Sequence, residues 1–162
     1  MASSTTKKAV IRRFDRESLS GYVNPISYQQ LTGIELLSAE GNIATVPYQE
    51  IKTVSFVREF GSGDEELRRA FHTRPKMAGL WVSFRFRDGE TLEGVMPNNL
   101  LPAEPHGFTV IPPDPYSNHQ RVFIPRAALQ AVEVLGVVGS PLQKRKGKPE
   151  SKEQIGLFDE SA

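Results

Sequence analysis

Arg13-Phe14-Asp15-Arg16-Glu17-Ser18-Leu19-Ser20-Gly21 returns further along the chain as Arg85-Phe86-Arg87-Asp88-Gly89-Glu90-Thr91-Leu92-Glu93-Gly94; the two align with a one-residue insertion. Landmarks beyond them keep the same order. Gly33-Ile34-Glu35-Leu36 is answered by Gly107-Phe108-Thr109-Val110, Val46-Pro47 by Ile124-Pro125, Ile51 by Leu129 and Val54 by Val132, the last three pairs at one common offset of 78 residues. Landmarks repeated in one order at a near-constant offset mark a duplicated unit. The duplication decides the fold, because whatever elements bury one copy must bury the other.

Each copy reads as short strands. Val10-Ile11-Arg12-Arg13-Phe14 and Leu80-Trp81-Val82-Ser83-Phe84-Arg85-Phe86 are rich in β-branched and aromatic residues, and Val82, Phe84 and Phe86 alternate with Trp81, Ser83 and Arg85. Arg87-Asp88-Gly89-Glu90 has the Asp-Gly pair of a tight hairpin turn, which needs positive φ. Second strands run over Leu19 to Val23 and Leu92 to Val95, with Gly21 and Gly94 inside them, where a glycine permits a bend or bulge. Third strands follow Gly33 and Gly107, and fourth strands end at Val46 and Ile124, because the proline after each has no N–H for a ladder. That proline then opens one helical turn, and the strands Thr53 to Val57 and Ala131 to Leu135 complete the copies.

The fold expected is therefore mainly all-β: tandem five-stranded small barrels of the SH3-like or Sm-like kind, spanning residues 9–60 and 80–138. Residues 61–79 connect them. Within that connector Asp64-Glu65-Glu66-Leu67-Arg68-Arg69-Ala70-Phe71 places acids first and bases last, as the helix dipole favours, and predicts a short helix ending before Pro75. From residue 139 to 162 the composition changes. Gln143 to Glu153 holds no apolar residue and predicts a disordered basic tail.

Composition narrows the function. A charged share of 24% and a net charge of +1 give the whole molecule no pull on nucleic acid or membrane, so any such pull must come from local patches. With no cysteine there is no disulfide, thiolate nucleophile or cysteine metal site. Met1 to Lys8 is small, polar and basic, without an apolar core of signal-peptide length, so a soluble cytoplasmic protein is expected. Asp15, Glu17, Asp88 and Glu90 are paired carboxylates, but they fall in hairpin turns, where Asp has a conformational reason to be. His72, His106 and His119 are scattered beyond metal-ligand spacing. Ser117 and His119 lack the strand-turn-helix context of an activated serine. An enzyme is the least expected class, and no cofactor or metal is expected.

Binding is more credible. The second copy carries a longer insertion before its fourth strand, and an inserted loop on a rigid scaffold is where binding residues concentrate. The candidate binding loop holds Asn98, Asn99, Ser117, Asn118, His119 and Arg121. A basic face drawn from Arg12, Arg13, Arg16, Arg68, Arg69, Arg74, Lys76, Arg85 and Arg87 could hold the phosphates of a nucleic acid or a cyclic dinucleotide, although solvated charge balanced by 19 acids is the simpler reading.

Three resemblances add to this. Val54-Ser55-Phe56-Val57-Arg58-Glu59-Phe60, Phe86-Arg87-Asp88-Gly89-Glu90 and Asp114-Pro115-Tyr116-Ser117-Asn118-His119-Gln120-Arg121-Val122-Phe123 resemble a bacterial family of unknown function, found alone or beside PilZ and receiver modules. That company implies a signalling accessory role through a protein partner. Val82 to Gly94 resembles the first motif of Sm-like barrels, which would put an RNA-facing Asn at Asn98 or Asn99, and at Asn24 in the first copy; the second Sm motif is absent at Ile124-Pro125-Arg126. Gln154-Ile155-Gly156-Leu157-Phe158 resembles the pentapeptide by which bacterial repair and replication proteins bind the sliding clamp. It implies partner contacts through Gln154, Ile155, Leu157 and Phe158: one amide at a pocket edge and an apolar pair inside it. The function expected is a non-enzymatic adaptor docked on the sliding clamp by its tail; the alternatives are a DNA- or RNA-binding barrel pair and a signalling accessory domain.

Overall fold

A computed structural model describes residues 6–61, 68–101, 103–114 and 118–139. The first copy folds as β1 (Lys7–Arg13), β2 (Ser18–Val23), β3 (Gly33–Leu37), β4 (Ile43–Pro47), a 3₁₀ turn (Tyr48–Glu50) and β5 (Ile51–Val57). The second folds as β6 (Gly79–Phe86), β7 (Thr91–Met96), β8 (Gly107–Val110), β9 (His119–Pro125), a 3₁₀ turn (Arg126–Ala128) and β10 (Leu129–Val138). Among the described residues there is no α-helix and none long and apolar enough to cross a membrane. Of the expected connecting helix, residues 64–67 lie outside the described residues, and residues 68–71 are not helical.

Registers repeat pair for pair. Ile11 faces Leu19 and Ala9 faces Gly21 as Phe84 faces Leu92 and Val82 faces Gly94. Gly33 faces Pro47 as Gly107 faces Pro125. Val54 faces Ile11 as Val132 faces Phe84. Even the irregularity is copied: β1 against β5 steps over Lys52, and β6 against β10 steps over Gln130. The hairpins also match hydrogen bond for hydrogen bond, Arg13 N to Glu17 O against Phe86 N to Glu90 O. This corrects one detail of the sequence alignment. The hairpins carry no insertion; Asp15 corresponds to Asp88, Arg16 to Gly89 and Glu17 to Glu90. Matching the two phenylalanines, Phe14 and Phe86, shifts the alignment by one residue.

Gly21 and Gly94 sit where their strands pass closest to the next. A Cβ on Gly21 would lie 2.6 Å from the Leu37 carbonyl oxygen, and one on Gly94 would lie 2.6 Å from Val110 Cγ2. The contacts β2 to β3 and β7 to β8 are correspondingly brief: one register pair, Tyr22 with Leu37, and one bridge, Val95 with Ile111.

No closed barrel is seen among the described residues. The strands make a seven-stranded antiparallel sheet, β4-β3-β2-β1-β5-β9-β8, and a three-stranded one, β10-β6-β7, and neither sheet closes on itself. The reason lies at β9. It pairs with β8 of its own copy and, through Val54 with Phe123, Ser55 with Val122 and Phe56 with Arg121, with β5 of the other. Side chains alternate across a strand, so β9 serves two cores. Phe123 enters the first cluster with Ile11, Ile34, Ile51 and Val54, while Val122 and Ile124 enter the second with Val82, Phe84 and Leu92. Tyr28 meets Phe56 and Phe123 edge to face, with centroids 5.5 and 5.9 Å apart, and burial pushes its hydroxyl up to about 12.

Candidate functional site

The bulge at Lys52 builds a polar, charged feature of the surface. By stepping out of the β1–β5 register, Lys52 leaves its own copy and reaches the β6–β7 hairpin of the other. Its Nζ donates to Asp88 Oδ2 at 2.6 Å and to Glu90, and lies 5.1 Å from the centre of the Phe86 ring. The hydrogen bond from Lys52 holds Glu90 below the usual carboxylate range. Asp88 is pushed up by burial but pulled down further by Lys52 and by the Glu90 amide, so it too ends below that range. From the opposite side the Arg87 guanidinium lies 3.9 Å from the centre of the Phe14 ring and donates to Ala127 O at 3.2 Å and to Gln49 O. The two hairpins are thus pinned to each other by one cation from each copy.

Between them opens a cavity of about 430 Å³, lined by Arg12, Arg13, Arg16, Lys52, Thr53 and Arg69 together with Phe14, Phe86, Asp88 and Glu90. Its cations are not equally committed. Lys52 is held by Asp88 and Glu90, Arg69 lies 3.6 Å from Glu90, and Arg13 is 3.0 Å from Glu50 and 3.7 Å from both Asp15 and Glu17. Among the described residues, Arg12 and Arg16 have no carboxylate within salt-bridge distance. Arg12 Nε and Thr53 Oγ1 are buried with no hydrogen-bond partner among the described residues. Buried donors without acceptors cost free energy unless a partner arrives, and guanidinium forks match the oxygens of carboxylates and phosphates. Arg16 reaches the cavity from a strained backbone, at φ 73°, where its counterpart in the other hairpin is Gly89 at φ 92°.

Of the expected basic face, Arg12, Arg13, Arg16 and Arg69 come together here; Arg74 and Arg87 are tied to backbone carbonyls, at Val137 and at Gln49 and Ala127. Lys52, absent from that expectation, is the residue that organises the site. Its signal in the sequence is a single lysine in an otherwise uncharged strand, directly after the proline turn.

A second cavity, of about 460 Å³, opens beside β7 and β8 and is mainly apolar, with Val95, Met96, Leu100, Phe108 and Val110 in its wall. Two residues of the candidate binding loop, Asn99 and Arg121, line it, with Arg126 stacked 4.6 Å from the centre of the Phe108 ring. Glu104 at its rim accepts from Thr109 Oγ1 at 2.8 Å and from Gln29 Nε2, of the first copy, at 3.2 Å.

The rest of that loop is not gathered there. Asn98 is exposed and lines neither cavity. Asn118 is structural: its Oδ1 accepts from the amides of Arg58 and Glu59 at 3.1 and 2.9 Å, and its Nδ2 donates to Glu59 O at 2.9 Å, tying the end of β5 to the start of β9. His119 is buried on β9 opposite Val57. Ser117 lies outside the described residues, as do Gln154, Ile155, Leu157 and Phe158 of the tail motif. His106 stacks on Tyr48 at 4.8 Å, and no group of three or more metal-ligating side chains occurs among the described residues.

The chain belongs to a family of unknown function, DUF6982, whose model matches residues 5–136. No curated protein and no solved structure matches it.

Proposed function

We propose that the protein is a non-enzymatic cytoplasmic adaptor: two copies of one SH3-like small-barrel unit hold nucleic acid at the cavity between their hairpins, while the tail docks on the bacterial sliding clamp. The observation that supports the first half is the cavity itself, where, among the described residues, Arg12 and Arg16 lack carboxylate partners and Arg12 Nε lacks a hydrogen bond. Phosphate oxygens supply what those groups lack, and Phe14 and Phe86 in the same wall offer apolar surface beside them. The second half rests on Gln154-Ile155-Gly156-Leu157-Phe158, in which an amide and an apolar pair follow a basic, apolar-poor linker.

Each half has its own test. Fluorescence anisotropy with a labelled single-stranded oligonucleotide at low salt should show binding. Replacing Arg12 and Arg16 together by Ala should weaken it about tenfold, and the salt slope should become shallower by about 0.7 for every phosphate that is no longer neutralised. No binding at low salt removes the nucleic-acid reading. Leu157→Ala with Phe158→Ala should abolish retention on immobilised clamp; undiminished retention removes the docking reading. A protein partner is the second reading for the body, favoured by the mainly apolar cavity beside β7 and β8, with Leu100 at its rim 74% exposed. It predicts a partner that no longer binds the Leu100→Asp protein and is indifferent to Arg12 and Arg16.

A further inference from the structure

We infer that the outer edge of β10 receives β4 from a second copy of this chain, so that copies join head to tail through the same strand pairing that joins the two units inside one chain. The template is internal. At the joint, the last strand of the first unit, β5, pairs antiparallel with the fourth strand of the second unit, β9. The matched registers make β10 the counterpart of β5 and β4 the counterpart of β9. β7 and β8 are joined by reciprocal hydrogen bonds between Val95 and Ile111 of 3.0 and 2.9 Å, so among the described residues the two unpaired edges are β4 and β10. They are the two complementary halves of the internal joint.

Their side chains are dressed for burial. In β5 the joint leaves Val54 0% and Val57 5% exposed, whereas in β10 the corresponding Val132 and Leu135 are 43% and 41% exposed, and Val134 between them 57%. On β4, Ile43 is 67% exposed. Long free edges are ordinarily guarded by charges, by proline or by brevity. β10 runs for ten residues with one charge, Glu133, and no proline, and β4 has no charge, with its proline only at the last position. Arg74 donates to Val137 O, which closes the far end of β10 but leaves residues 132–135 open. Copying the internal register sets Val132 opposite Thr45, Glu133 opposite Ala44 and Val134 opposite Ile43 of the second copy. This contact is heterologous, so it closes into a ring where the rotation between copies allows and otherwise propagates into an open filament.

Sedimentation velocity on the full chain over a range of concentrations tests it. Wild type should form species larger than a dimer as concentration rises. V134K spoils β10 but keeps β4, and I43K spoils β4 but keeps β10. Each alone should be monomeric, and an equal mixture should yield a species of twice the monomer mass and nothing larger. Both positions are solvent-exposed in one chain, and far-UV circular dichroism should match wild type; the wild-type mass needs no variant. A wild type that stays monomeric at every concentration overturns the inference. So does an I43K that still self-associates while V134K does not, which would pair β10 with itself. A monomer whose β10 amides are protected from hydrogen exchange gives the edge to another segment of its own chain, and overturns it too.

Discussion

In β5, Val54 faces Ile11 on one side and Phe123 on the other and is completely buried; in β10, its counterpart Val132 faces Phe84 on one side, has no strand of the described residues on the other, and is 43% exposed. The two strands share a pattern, a bulge and a preceding proline turn. What differs is the neighbour. Exposure here is a property of the pairing and not of the strand, and the same residue type contributes to the core in one copy and to the surface in the other.

The largest effect should come from cutting the shared seam. Phe123 is fully buried, stands on a strand of the second unit and packs in the core of the first. Phe123→Ala should cost about 3–5 kcal/mol, read as a fall in the urea midpoint at a concentration where the chain is monomeric. Thr45, its counterpart on the uncovered β4, is exposed, and Thr45→Ala should stay within about 0.5 kcal/mol. Equal effects at the two positions would erase the distinction between joint and edge.

A cleaner contrast uses one substitution twice. Val54→Ala removes methyl groups from a fully buried position, and Val132→Ala removes the same atoms from a half-open one. The first should be the more destabilising by roughly 2 kcal/mol, since transfer and cavity terms both apply only where the side chain is enclosed. If the gap closes as protein concentration is raised, Val132 has found cover, and the contrast becomes a measure of self-association.

The duplication is legible because glycine and proline mark places where the backbone itself is constrained. Gly21 and Gly94 stand where strands cross too closely for a Cβ, and Pro47 and Pro125 where the ladder stops. The β5–β9 joint is not legible, because pairing between strands of different copies leaves no local pattern; β5 and β10 read alike and end in different places. Side-chain identity also misleads, where Phe14 aligns with Phe86 although the hydrogen bonds match Phe14 to Arg87. Of the candidate site, the arginines are visible as residues but not as a cluster. The bulge that sends Lys52 across to Asp88 and Glu90 is a property of two strands in register. Asn118 suggests binding because Asn suits loops and ligands alike, yet its amide is spent on the backbone of residues 58 and 59.

The two hairpins sharpen the comparison at a single position. Arg16 holds a left-handed backbone where Gly89 holds the same conformation without penalty, and for a residue with a Cβ that conformation costs about 1 kcal/mol. Arg16→Gly should therefore raise stability by about 1 kcal/mol in thermal melts, and Gly89→Ala should lower it by a similar amount. If Arg16 serves the cavity, the stabler Arg16→Gly protein should also bind the oligonucleotide more weakly. A variant both stabler and undiminished in binding would take Arg16 out of the site.

The smallest effect concerns the charges of those hairpins. Asp15 and Glu17 stay with Arg13 of their own copy at 3.7 Å, whereas Asp88 and Glu90 reach across to Lys52. Folding lowers both Asp88 and Glu90 below the ordinary carboxylate range. A carboxylate depressed in the folded state adds stability that is complete above its unfolded value and is lost as pH falls through its folded one. The contribution of the Lys52 cluster should thus be full at neutral pH and disappear on acidification below the usual carboxylate range. Both carboxylate side chains are more than a third exposed, so screening by water keeps the whole effect under about 1 kcal/mol. The measurement is the difference in Tm between wild type and Lys52→Met as a function of pH. That difference should shrink towards acid, because protonation dismantles in the wild type what the substitution has already removed. A difference that holds constant from neutral to acid pH would mean that Lys52 bridges the copies by packing its methylenes on Phe14 and Phe86, and that its charge contributes nothing to the joint.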